Sequence, residues 1–183
     1  MNEFLLRQFG AGAATVLMLF LPCGLAQAHA VVEPEHAPAD SYQKLTFRIT
    51  HGCEGSATNT VIIRIPLALH GAKPMPKPGW EIATRIEPLA EPYRAHGRQI
   101  HKEAREITWQ GGRLPNEYFD EFSIQVRTPT NPGDIAIPVT QLCEKGRLDW
   151  VETASPQQPR ERLEAPAPVL HVHPGTAAGH MNH

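Results

Sequence analysis

The sequence predicts an all-β chain folded as an antiparallel β-sandwich, and three features carry that expectation. Eighteen prolines and fourteen glycines interrupt the chain too often for long helices. Between them lie short stretches in which apolar and polar residues alternate, the period-two pattern of half-buried strands. About seven such stretches follow one another at the spacing of a sandwich.

In chain order, Tyr42 to Thr50 sets Leu45, Phe47 and Ile49 on one face and Lys44, Thr46 and Arg48 on the other, a strand with one buried side. His51-Gly52-Cys53-Glu54-Gly55 makes a turn, and Asn59 to Ile65 is a second strand that stops at Pro66. Lys73 to Trp80 holds three prolines, too many for a central strand, and reads as a rigid loop delivering Trp80 to the core. Trp80 to Ile86 alternates again, and Glu87 to Arg98 reads as a polar connector. Glu106 to Gln110 and Phe119 to Thr128 are further strands, joined through Gly111 to Pro115. Asp134 to Leu142 and Leu148 to Glu152 complete the set, for a sandwich of the immunoglobulin or cupredoxin kind.

Outside this domain, assigned to residues 29–152, two segments have other characters. Residues 1–28 carry Arg7, an apolar run from Phe9 to Leu21, and Ala26 and Ala28 as small residues before a cut, the pattern of a cleaved signal peptide. The cut leaves His29 first; a cut after Ala30, leaving Val31 first, also satisfies the small-residue rule. Residues 153–183 are rich in proline, alanine and histidine without aromatics, and are expected to be a disordered tail because they offer too little apolar area to offset ordering entropy. No long apolar run follows Glu152, so a soluble periplasmic protein is expected rather than an anchored one.

A formal charge of −2 gives no electrostatic reason for a nucleic-acid partner. With Cys23 lost in the signal, Cys53 and Cys143 remain as an even pair in an oxidising compartment, where a disulfide is expected. Two thiolate ligands are the competing reading, against which stand the compartment and the lack of CxxC spacing. No Ser-His-Asp spacing, phosphate-binding glycine loop or zinc-type cysteine pair points to an enzyme.

Of the ten histidines, His29 is set apart by its position. A chain beginning there presents an α-amino group and an imidazole on one residue, two nitrogen donors able to close a chelate ring. Nitrogen-rich tetragonal coordination suits Cu(II) better than Zn(II) or Mg(II). A carboxylate would complete the site, with Glu33, Glu54 and Glu144 as candidates. His51, close to Glu54 in the turn, is an auxiliary candidate ligand, a partner of a ligand, or a surface residue. His36, His70, His96 and His101 read as solvated polar side chains. His171, His173, His180 and His183 form a second possibility, a mobile segment catching Cu(II), Ni(II) or Zn(II) weakly, against the plain alternative of a solubilising tail.

Seven motifs now stand in order: His29-Ala-Val-Val-Glu-Pro, His51-Gly-Cys-Glu-Gly-Ser-Ala-Thr58, Lys77-Pro-Gly-Trp80, Thr108-Trp-Gln-Gly-Gly112, Asp120-Glu-Phe122, Gln141-Leu-Cys-Glu144 and Asp149-Trp150. Together they resemble the YcnI-like family over about residues 29 to 152. That resemblance implies an exported β-sandwich binding Cu(II) through a brace built on one histidine. It assigns the amine and imidazole to His29, a carboxylate ligand to Glu54, and an aromatic face against the metal to Trp150. It implies no catalysis but copper handling, by scavenging, delivery or resistance, with other periplasmic or membrane copper-handling proteins as partners. Met75 and Met181 are too few for a methionine-rich Cu(I) carrier, which agrees with an oxidised cargo. Two alternatives stay open: a copper monooxygenase, for which His51 or His101 would have to supply a second histidine, and a metal-free interaction module.

Overall fold

A computed structural model of the chain describes residues 30–175. Among these residues there are twelve strands: β1 (Val31–Glu33), β2 (His36–Pro38), β3 (Tyr42–Ile49), β4 (Thr58–Arg64), β5 (His70–Pro74), β6 (Glu81–Ala95), β7 (Arg98–Leu114), β8 (Asp120–Arg127), β9 (Gly133–Ala136), β10 (Val139–Cys143), β11 (Arg147–Trp150) and β12 (Val169–His173). They form a four-stranded sheet β1-β3-β8-β5, a five-stranded sheet β11-β10-β4-β7-β6 and a three-stranded sheet β2-β12-β9. All pairs are antiparallel except β2 with β12.

The alternation that marks the strands in sequence is the alternation of burial in space. Leu45, Phe47 and Ile49 of β3, Val61 and Ile63 of β4, Ile107 and Trp109 of β7, and Phe122, Ile124 and Val126 of β8 are all buried in one cluster. Trp109 meets Phe122 edge to face, with centroids 5.6 Å apart, so the four- and five-stranded sheets pack inner face to inner face. Truncating Phe47 or Phe122, both fully buried, to alanine would cost about 3–5 kcal/mol.

The proline-rich loop after β5 does deliver Trp80. Its ring lies edge-on to Phe122 at 4.9 Å and over Gly112, where an added Cβ would fall 2.2 Å from the indole. Trp109 Nε1 donates to the Met75 carbonyl (3.3 Å), and Lys77 Nζ reaches Asp120 (2.6 Å). The loop is thus tied down at both ends.

Two expectations need correction. The segment Glu87 to Arg98 is not a connector: β6 runs on to Ala95, and β7 returns from Arg98. The hairpin turns at His96 and Gly97, both at positive φ (48° and 74°), as a two-residue hairpin turn requires. Pro88 and Pro92 are tolerated because β6 is the edge of its sheet, and the register shifts between Pro88 and Tyr93.

The second correction concerns residues 153–175. Instead of trailing from the domain, they run back along it and end in β12, which fills the place between β2 and β9. Leu163, Ala167, Leu170 and Val172 are buried. The physical reason is local: Val169-Leu-His-Val-His173 alternates in period two, and its two inward residues join the main core. The domain therefore extends about twenty residues beyond Glu152. Residues 176–183 lie outside the described residues, as do residues 1–29, which hold the expected signal segment (1–28) and His29.

Candidate metal centre

The site is built around the turn between β3 and β4. Cys53 and Ser56 exchange backbone hydrogen bonds (Cys53 N to Ser56 O, 3.0 Å; Ser56 N to Cys53 O, 2.8 Å). Between them Glu54 and Gly55 both have positive φ (49° and 84°). A glutamate there is uncommon, since the left-handed region costs a residue with a Cβ about 1–2 kcal/mol, and the closed turn has to hold it. Glu54 is exposed, its carboxylate carried at the tip.

Three anchors fix that turn to the sandwich. Cys53 forms a disulfide with Cys143 of β10, the pairing expected from the sequence. Gly52 N donates to Asn116 Oδ1 (3.1 Å), and an added Cβ at Gly52 would strike the Ser56 carbonyl at 1.9 Å, so no other residue fits. Gln141 of β10, 1% exposed, donates through Nε2 to the His51 carbonyl (2.6 Å) and to Thr58 Oγ1 (2.7 Å).

Gln141 also joins the turn to the last strand of the sheet. Its Oε1 lies 3.5 Å from Trp150 Nε1, at the outer limit of a hydrogen bond. Trp150 ends β11, is 6% exposed, and presents its ring to His51 edge to face at 6.2 Å. His51 Nδ1 sits 2.6 Å from the Gly52 carbonyl; an oxygen that can only accept requires the proton on Nδ1, which makes Nε2 the lone-pair nitrogen. Beside Trp150, Asp149 accepts from Thr140 Oγ1 (2.7 Å) and Arg147. The Arg147 hydrogen bonds hold its carboxyl below the usual carboxylate range, with Thr140 adding to the effect.

The three candidate carboxylates are now distinguishable. Glu33 is ion-paired with Arg48, and Glu144 accepts from Arg113 Nε at 2.8 Å. Glu54 has no ion pair or side-chain hydrogen bond within the described residues. His29 lies outside them, but Ala30 is 3% exposed, and β1 pairs Val31 with Arg48. Ala30 therefore lies at the end of β3 that leads through Thr50 to the turn. At that end the Thr50 hydroxyl is buried, with no hydrogen-bond partner among the described residues.

The tail histidines are elsewhere. His171 and His173 stand on β12, not on a mobile segment, while His180 and His183 fall outside the described residues. Among the described residues no three His, Cys, Asp or Glu side chains stand close enough to hold a metal ion. Gln141, Asn116 and Thr50 were not singled out as site residues by the sequence. Gln141 falls within one of the seven motifs, but its partners are 83 and 90 residues away, and no local signal gives them.

No helix among the described residues is long and apolar enough to cross a membrane. Comparison with curated proteins finds no match. Among solved structures the chain is similar to an uncharacterized protein from Nocardia farcinica, whose crystal structure is described as revealing an immunoglobulin-like fold. The two share 22% identity with a TM-score of 0.57 over 81% of this chain and 99% of that one, a likeness of fold. The family described as a domain of unknown function, DUF1775, matches residues 29–172, a span that takes in the turn, Trp150 and nearly all of β12, and on that match the chain belongs to this YcnI-like family.

Proposed function

We propose that the exported protein binds one Cu(II) ion as cargo, for scavenging, delivery or resistance, and is not an enzyme. In this reading His29, once signal peptidase exposes it, supplies an amine and an imidazole nitrogen. Glu54 supplies a carboxylate oxygen, and Trp150 an aromatic face that keeps water from one side of the metal and favours a cation through its π cloud.

The observation that carries the proposal is the placement of Glu54. Among the described residues it is the one candidate carboxylate not engaged by an arginine, and it sits at the tip of a turn anchored by a disulfide, by Asn116 and by Gln141. The same turn carries His51 against Trp150, and the chain that follows His29 enters beside it. A donor set of nitrogen and carboxylate oxygen selects Cu(II) over Cu(I), which prefers sulfur. Export to the periplasm supplies both the processing and the oxidising setting the disulfide needs.

The test is a Cu(II) titration followed by electron paramagnetic resonance, on protein beginning at His29 and on protein with one extra residue before it. One nitrogen-rich tetragonal signal at one equivalent is expected in the first and not in the second. Glu54→Gln is expected to weaken binding while leaving the fold unchanged. Tight binding that survives the added residue would refute the brace, and absence of any stoichiometric copper would refute the function.

A further inference from the structure

A second group of donors lies on the outer face of the three-stranded sheet. The register places His171 of β12 beside His36 of β2 on one side and beside Asp134 of β9 on the other. The residues that alternate with them, Ala37, Ile135, Leu170 and Val172, are buried. The three side chains therefore form one row across the sheet, facing solvent. The rings of His36 and His171 stack at 5.0 Å with 28° between their planes, and His171 Nδ1 lies 2.7 Å from Asp134 Oδ1.

The last contact sets the chemistry. A carboxylate oxygen only accepts, so the proton of the His171 ring is on Nδ1 and the lone pair is on Nε2. This is the outer-shell arrangement of metal-bound histidines, in which a carboxylate fixes the tautomer and orients the ring. His36 brings a second imidazole alongside. Both rings are at the surface, side by side on neighbouring strands. His173, two residues along β12, is on the same face. Glu35 and Asp134 line the cleft beside His171; Arg160, which also lines it, donates to the Ala167 carbonyl at 2.9 Å.

We infer that His36 and His171, with Asp134 orienting His171, form a surface site for a divalent transition-metal ion of the imidazole-preferring class, Cu(II), Ni(II) or Zn(II). Two protein nitrogens hold the ion, and water completes its coordination. Leu170 and Val172 anchor β12 in the core, so the pair is set on a rigid strand. The site needs neither His29 nor signal cleavage, and it stands or falls separately from the proposal for Glu54.

Zn(II) titrated into the chain beginning at His29, with every histidine ring followed by NMR, tests it. The Nε2 resonances of His36 and His171 are expected to move together on one isotherm. Chelation by two preset ligands gains on the order of 100-fold over one, so His36→Ala or His171→Ala should weaken that isotherm by about this factor. Asp134→Asn should weaken it by about 10- to 100-fold with thermal unfolding unchanged. His36 is exposed on an edge strand, so His36→Ala keeps the result readable if His171→Ala disturbs β12. Rings of His36 and His171 that titrate independently, shifts confined to His29, His180 and His183, or a His36→Ala isotherm equal to the parent's would overturn the site.

Discussion

Replacing Gln141 by leucine should destabilise the protein by about 2–4 kcal/mol while preserving core volume. Gln141 is 1% exposed, and its amide donates two short hydrogen bonds, to the His51 carbonyl at 2.6 Å and to Thr58 Oγ1 at 2.7 Å. Thr58 is fully buried, so water does not replace the lost donor. A buried acceptor deprived of its donor costs about 1–3 kcal/mol, as at Thr58, and the part-buried His51 adds about 1 kcal/mol from the low end of that scale, which gives the range stated. With a urea m-value of about 2 kcal/mol/M, the midpoint should fall by roughly 1–2 M at unchanged slope. Gln141→Glu should cost more near neutral pH, because it sets an acceptor oxygen against two acceptors and buries a charge. Part of that loss should be recovered on acidification, since burial raises the pKa of the new carboxyl and its protonated form regains a donor. A Gln141→Leu midpoint within about 0.3 M of the parent, under 1 kcal/mol by the same slope, would refute the view that this amide holds the turn to the last strand.

Other expectations follow from contacts already described. Tyr93 donates to the buried Glu103 carboxylate at 3.0 Å, and burial first, then that bond, push its phenol up to about 12. Its folded pKa lies above the unfolded value near 10, so its contribution to stability is present below pH 10 and is lost as pH rises toward 12. Absorbance at alkaline pH should show a late tyrosine ionisation that Tyr93→Phe removes; a Tyr93→Phe titration curve identical to the parent's would refute the assignment. Removing the disulfide by replacing both Cys53 and Cys143 with alanine should cost about 2–5 kcal/mol in chemical denaturation, since it closes a separation of 90 residues; an unchanged midpoint would count against it. Gly112→Ala puts a Cβ 2.2 Å from the Trp80 ring and should cost about 1–3 kcal/mol with a change in tryptophan emission. Unchanged stability and emission would mean Trp80 does not depend on that glycine.

What could be read in the sequence was whatever depends on near neighbours. The inward sets Leu45, Phe47, Ile49 and Phe122, Ile124, Val126 alternate within a few residues, and both strands stand where the pattern puts them. The cysteine pairing followed from an even count and an expected oxidising compartment. The hairpin β6–β7 was hidden because an edge strand needs only one paired side. Its prolines and polar residues therefore look like a loop, and only His96-Gly97 betrays the turn. β12 was hidden by its surroundings, five alternating residues inside a stretch whose average composition reads as disorder. The candidate centre was legible in Glu54 and Trp150 through resemblance, but not in what positions them. Gln141 and Asn116 act through partners far away in the chain. Likewise the row of His36, His171 and Asp134 exists only once three distant strands have been laid side by side.

The two proposed metal positions differ in what creates them, and that difference separates them experimentally. The first depends on a covalent event, because the amine of His29 becomes a donor only when the preceding peptide bond is cut. Its carboxylate waits on a turn held by a disulfide, a glycine that tolerates no Cβ and a buried amide, so little ordering remains to be done on binding. The second depends on folding alone, since strand register brings its two imidazoles together whatever the state of the amino terminus. It offers neutral nitrogens and water rather than an amine, an imidazole and a charged oxygen, and so should be the weaker for a divalent cation. One added residue before His29 removes the first set of donors and leaves the second intact. The extended protein should therefore keep a low-affinity equivalent that moves only the rings of His36 and His171, while the processed protein binds its first equivalent elsewhere.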